Sequence, residues 1–205
     1  MKVLNLYCCI GGNRKLWPAE CEVTAVELDP EIAAIYQEHY PHDRVIVADA
    51  HQYLLEHYQE YDFIWSSPPC QHNSRIRFMA AHRGDYNEVY PDLRLYEEYI
   101  FLKHHFKGKF VIENVIPYYK PLIAPTAIRT RHFFWANFVI PSKGSVNTAE
   151  QPIKEVSVNS SRFGFTLKGR KISKRKDQVL RDLVDPEIGL LIFKAAFQLR
   201  QEVLA

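Results

Sequence analysis

A cysteine, a glutamate and a pair of arginines in this chain each stand where an apolar run of strand length ends or begins. Together they could add a nucleophile to an electron-poor ring. Cys70 closes Ile64-Trp65-Ser66-Ser67-Pro68-Pro69-Cys70-Gln71, in which two prolines fix the backbone direction after the apolar run. That is the placement expected of a nucleophile at the carboxyl end of a strand. A free cysteine taken alone is more often a small buried apolar residue, and two other stretches shift the balance. Glu113 lies at the end of Phe110-Val111-Ile112-Glu113-Asn114-Val115, and Arg129-Thr130-Arg131 enters the aromatic run His132-Phe133-Phe134. A thiolate adds to a ring carbon when an acid neutralises the charge pushed onto a ring nitrogen. With a reference thiol pKa of about 8.5, Arg129 or Arg131 nearby is expected to favour the thiolate.

These residues need a scaffold, and the composition supplies one. The chain has 205 residues, 47% hydrophobic, 24% charged and 13% aromatic, which describes one globular domain, or one with a small appendage, and excludes a disordered chain. No run of about 18 apolar residues occurs, and the first residues enter a strand pattern without a signal-peptide layout, so a soluble intracellular protein is expected. Cys8, Cys9, Cys21 and Cys70 show no C-x-x-C spacing, which argues for a reducing compartment and against a metal site or disulfide framework. Net charge is +2, but residues 141–205 hold 12 Lys and Arg against 7 Asp and Glu, leaving 14 against 17 for residues 1–140. The basic tail suggests a polyanionic partner.

Along the chain, Lys2–Cys9 reads as a strand, followed by the Gly11-Gly12 turn and a helix-like segment. This is the opening of a nucleotide-binding α/β unit. Glu22–Leu28 reads as a second strand, with Glu27 at its tip placed to hold ribose hydroxyls, Asp29 as a helix N-cap, and a helix from Pro30 to about His39. Arg44–Asp49 and Tyr61–Ser67 read as further strands, separated by a helix near Ala50 to Tyr58. The alternation predicts a mostly parallel sheet with helices on both faces. Residues 71–91 lack periodicity and read as a long basic loop beside the site. A helix over about Leu93–Phe106 and a strand at Phe110–Val115 follow. Lys168 to Lys176 carries six cations and no acid, and with Phe163 and Phe165 it reads as a small nucleic-acid-contacting module. Periodicity returns from Asp177 to Leu204 as one or two helices.

In this order the motifs resemble the DNA (cytosine-5)-methyltransferase family, in a small phage or bacterial form with a short target-recognition region. Asn5-Leu6-Tyr7-Cys8-Cys9-Ile10-Gly11-Gly12 resembles the family's opening cofactor motif, and Pro69-Cys70-Gln71 its nucleophile motif. Glu113-Asn114-Val115 and Arg129-x-Arg131 resemble the two that follow, and Asp92-x-Arg94 the segment after the catalytic loop. The resemblance implies a Rossmann-like fold for S-adenosylmethionine-dependent methyl transfer. It divides the chain into a catalytic domain over 1–140, a basic recognition region over 141–176, and C-terminal helices over 177–205 packing back on the first. It implies S-adenosylmethionine as donor and S-adenosylhomocysteine as product. Tyr7, Cys9, Ile10, Gly11, Gly12, Glu27 (ribose), Leu28, Asp49 (adenine), Ala50 and Pro68 would bind the cofactor. Cys70, Glu113, Arg129, Arg131, Asn114 and Pro69 would be catalytic, acting through a covalent Cys70 adduct on a flipped cytosine, with no metal. The partner implied is double-stranded DNA, as in restriction-modification, in the cytoplasm of a bacterium or a phage-infected host.

The chain departs from the family pattern at Asn5, Tyr7 and Cys9, where the family has Asp, Phe and Gly, and at Ala127, where it has Gln. Asp185-Pro186-Glu187 lies near the place of a missing Gly-Asn-Ser. Cys9 leaves two rivals open, an altered donor and a DNA-binding relative without catalysis. A third keeps the chemistry and takes RNA as substrate.

Overall fold

The computed structural model describes residues 1–85, 87, 90–141 and 163–197. Within them lies a seven-stranded sheet made of β1 (Lys2–Leu6), β2 (Glu22–Glu27), β3 (Arg44–Val47), β4 (Phe63–Ser66), β5 (Lys109–Val115), β6 (Ala127–Arg129) and β7 (His132–Ala136). The order is β3-β2-β1-β4-β5-β7-β6, with the first five parallel and β7 antiparallel to both neighbours. The order reverses between β1 and β4, so both strands send their carboxyl ends into one crevice, where such sheets take ligands. The fold is α/β and Rossmann-like.

Near-continuous apolar strands imply burial on both faces, and alternate residues divide accordingly. Leu4, Leu6, Ile64, Phe110, Ile112 and Trp135 pack against α2 (Ala50–His57) and α4 (Arg94–His105) through Leu54, Leu95 and Leu102. Val3, Phe63, Trp65, Val111 and Phe134 face the other way, toward Trp17 and α6 (Pro186–Phe197). Trp17 stacks on Phe193 with centroids 5.0 Å apart and donates its Nε1 to the Gly189 carbonyl. A side chain at position 189 would sit 2.3 Å from the Asn13 carbonyl, so only glycine lets α6 approach this closely. The helix α6 thus packs against this face of the sheet.

Two expectations change, and a third segment gains partners that the linear chain does not show. The first strand stops at Leu6, and the glycine turn leads into successive turns rather than a helix. There Asn13 pairs with Asn5 at 2.8 Å and Arg14 forms a buried ion pair with Asp43 at 2.9 Å. Tertiary partners therefore set the backbone. The segment after Cys70 contains α3 (Arg75–His82), a helix that buries only Ala80 and so shows little apolar periodicity. Finally, the described end of the basic segment lies against α1 (Pro30–His39). Phe165 and Leu167 pack with Ile32 and Ile35, Arg170 pairs with Glu38, and Ser173 donates twice to Glu31. Acids 130 residues away in sequence neutralise cations that look unpaired in the linear chain. The expected recognition region also includes residues 142–162, which lie outside the described residues.

Candidate active site

The turn that carries Cys70 is held from β5. Asn114 donates its Nδ2 to the Pro68 carbonyl at 2.9 Å, and Asn73 N donates to the Cys70 carbonyl at 3.0 Å. Tyr119 Oη in turn donates to Asn73 Oδ1 at 3.0 Å. Pro68 is buried, Pro69 is exposed and Cys70 is half-buried, so the two prolines carry the chain out of the sheet and turn it back at the thiol.

Glu113 comes from the adjacent strand and is 6% exposed, with His132 Nε2 3.5 Å from its Oε1. Burial pushes its carboxyl up to about 7, while a hydrogen bond to Ser67 and the charge of Arg131 pull the other way. Arg131 sits in the tight β6–β7 turn, where Thr130 has φ 47°, and its Nη2 donates to the Arg181 carbonyl. Cys70, Glu113 and Arg131 thus come together. Arg129 instead turns its Nη1 to the Ile128 carbonyl at 2.8 Å.

Arg131 favours the Cys70 thiolate, but its surroundings outweigh it. Burial, with the negative charges of Asp182 and Glu113, pushes the Cys70 thiol up to about 12, and Arg131 offsets only part of this. Asp182 follows α5 (Lys176–Arg181) and accepts from Gln178 Nε2 at 2.6 Å. Burial pushes its own carboxyl up to about 6. Sequence reasoning missed this acid, whose only mark is its place between the core residues Leu180 and Leu183.

The other side of the crevice is built on Glu27, 8% exposed at the tip of β2. Its Oε2 accepts from Cys9 N and its Oε1 from Asp29 N, both at 3.1 Å. Lys174 Nζ lies 3.6 Å from the Glu27 carboxylate and 3.4 Å from that of Asp29. Although burial opposes it, this pair holds the ammonium above its ordinary pKa. Asp29 caps α1 as expected. Asp49 is exposed and caps α2 through Gln52 N at 3.0 Å, with Ala50 buried behind it. Leu28 is 66% exposed beside a cavity of about 480 Å³ that reaches to Ser173 and Lys174.

The chain's own packing demands both glycines of the turn. A Cβ on Gly11, at φ +82°, would meet the Tyr40 ring at 2.3 Å, and one on Gly12 would meet the Val184 carbonyl at 2.6 Å. Ile10 is buried against α1 and α5. Cys9 takes φ 48° and directs its thiol toward the Val179 carbonyl at 3.8 Å. Tyr7 takes φ 55° and donates its hydroxyl to Glu98 at 2.7 Å. Glu98 is fully buried and also receives Ser66 Oγ at 2.5 Å, with His51 Nδ1 3.2 Å away. It too was missed, although an acid spaced with Leu95 and Leu102 on one helix face signals a buried charge.

An acid pair beside an exposed leucine has the chemistry to take the ribose and ring of an adenosine. Among the described residues no cluster of three His, Cys, Asp or Glu could hold a metal ion, and no helix is long and apolar enough to cross a membrane.

No curated protein matches the chain. Among solved structures it is similar to an S-adenosylmethionine-dependent methyltransferase from Agrobacterium tumefaciens (20% identity, TM-score 0.41, 58% of this chain and 40% of that one). It is also similar to a putative DNA modification methyltransferase encoded within an Escherichia coli prophage (21%, 0.39, 58% and 33%) and to a mutant of Spodoptera frugiperda DNMT2 (23%, 0.39, 56% and 35%). The chain thus spans less than half the length of each. The family model described as C-5 cytosine-specific DNA methylase matches residues 1–117. That match runs from the glycine turn through the Pro-Cys-Gln and Glu-Asn-Val strand ends, segments the fold gathers at one crevice, and the chain belongs to the C-5 cytosine-specific DNA methylase family.

Proposed function

We propose that the protein methylates carbon 5 of cytosine in double-stranded DNA through a covalent Cys70 adduct. The donor is S-adenosylmethionine, which supplies an electrophilic methyl group. The observation that carries this reading is the meeting of Cys70, Glu113 and Arg131 where β4, β5 and the β6–β7 turn end. Glu113, with its pKa near 7, holds a proton for ring nitrogen 3 at neutral pH. As that proton moves to the ring, the Cys70 thiol gives its own to water and bonds to carbon 6, with Arg131 offsetting the charge on sulfur. Carbon 5 then becomes nucleophilic enough to take the methyl group; water removes the carbon 5 proton as the carbon 6–sulfur bond breaks, and ring nitrogen 3 returns its proton to Glu113. Asn114 positions the thiol by holding the Pro68 carbonyl. The target base leaves the duplex at a cost of a few kcal/mol.

On the donor side Glu27 receives the ribose and Leu28 the adenine edge, with Asp49 and Ala50 at the tip of β3 and the Tyr7–Gly12 turn below. In domain terms, residues 1–140 form the catalytic body, 141–176 read the target, and 177–205 complete the cleft through Asp182. The test is radiolabelled donor with a mixed-sequence duplex, followed by base-resolution mapping and competition with transfer RNA. Label on cytosine carbon 5 of the duplex is expected, and none with Cys70→Ala. Folded protein that binds duplex but transfers no label overturns the enzyme reading, and preferential labelling of the RNA moves the substrate.

A further inference from the structure

A second cavity, of about 460 Å³, opens between α3 and the stretch after β5. It is lined in part by Gln71, Arg77, Phe78, His82, Tyr90 and Tyr118. Cys70, Glu113 and Arg131 take no part in its wall, yet it begins one residue from the nucleophile, at Gln71. Its volume falls within the range of small-ligand pockets, which run from about 300 to 1,000 Å³.

Its wall is built from flat rings. Phe78 stacks on Tyr118 with centroids 4.3 Å apart and planes 6° from parallel, and His82 continues the ladder at 5.3 Å from Phe78. Tyr90, at the opening, is 92% exposed, and Phe78 is 43% exposed. Arg75 Nε donates to the Pro117 carbonyl and Tyr118 N to the Asn73 carbonyl, so the wall is tied to both sides of the cleft. The segment 71–85 carries three arginines against one aspartate. Aromatic faces flanked by cations are how proteins hold unstacked bases, because every base has a π-face and a phosphate beside it.

We propose that this cavity is a subsite for the nucleobase adjacent to the target cytosine on the same strand, unstacked when the target leaves the duplex. The proposal rests on the nucleic-acid reading above. The occupant follows from position and charge. The subsite starts one residue from Cys70, its wall presents ring faces, and its rim is cationic toward the linking phosphate.

The test is a double-mutant cycle in DNA binding, using the full chain with S-adenosylhomocysteine and a duplex around a cytosine located by footprinting of the bound protein. The neighbouring nucleotide is made abasic on the 5′ side or the 3′ side, and the protein carries Tyr118→Leu. Because Tyr118 also supports α3, Tyr90→Ala, on an exposed side chain, is run in parallel. On one side of the target, base removal is expected to weaken wild-type binding by about 5- to 150-fold and the variants by far less. Equal losses in wild type and both variants at both neighbours overturn the subsite. So does coupling found only for the unpaired base on the opposite strand. Methylation without coupling sinks the subsite alone, coupling without methylation sinks the enzyme reading alone, and no duplex binding sinks both.

Discussion

Near Cys70 two carboxyls are buried, and this has a measurable consequence. Glu113 and Asp182 both have pKa values raised above the ordinary carboxylate range, to about 7 and about 6, chiefly by burial. Their neutral forms are therefore the ones the folded state favours. The stability tied to those forms is full below the unfolded values, near pH 4, and is lost as pH rises through 6 to 7. Each carboxyl contributes on the order of 1–3 kcal/mol, so thermal melting is expected to fall by several degrees between pH 5 and pH 8. Glu113→Gln should flatten that fall while abolishing methyl transfer; a melting profile as steep as wild type would show that Glu113 does not titrate in the folded state. The placement of Cys70 and Glu113 beside each other was legible because strand ends expose side chains at fixed places. Asp182 and Glu98 were not, because a buried acid in a helical segment acquires meaning only from partners on distant elements.

Strands and helices were legible to within a residue or two wherever apolar periodicity was strong, as in α1 and β5. The ion pairs of the basic segment were not legible, because its partners Glu27, Asp29 and Glu38 lie on or just before α1. Lys174 there pairs with Glu27 and Asp29, so under the proposed function donor binding breaks an ion pair. Lys174→Gln should tighten S-adenosylhomocysteine binding several-fold in calorimetry at low salt, an advantage that shrinks as salt screens the wild-type pair. Weaker binding by the variant would make Lys174 a donor ligand rather than a competitor. Arg170 offers a control, since its pair with Glu38 is more exposed and stands apart from Glu27.

For the molecule as a whole, folding reduces the free cationic charge that the linear sequence advertises. Of the six cations between Lys168 and Lys176, Arg170, Lys174 and Arg175 pair with acids of the same chain, while Lys168 and Lys171 are exposed. Phosphate contacts set the salt dependence of DNA affinity at a slope of about −0.9 per contact. Neutralising Lys168 and Lys171 together should therefore reduce that slope by about 2, and Lys174→Gln should leave it nearly unchanged. An unaltered slope in the double variant would place the DNA on another face. The sheet itself, apolar on both faces and closed by α6, was legible from strand–helix alternation. The cleft was not, because it forms only when the C-terminal segment returns across the strand ends.

The most direct measurement is covalent capture on a duplex with 5-fluorocytosine at the mapped target, where fluorine replaces the proton whose loss would release the enzyme. With S-adenosylmethionine present, a protein–DNA adduct stable to denaturation is expected, mapping to Cys70 and absent in Cys70→Ser. Methylation of ordinary cytosine without any such adduct, or an adduct on another residue, would contradict the role given to that thiol.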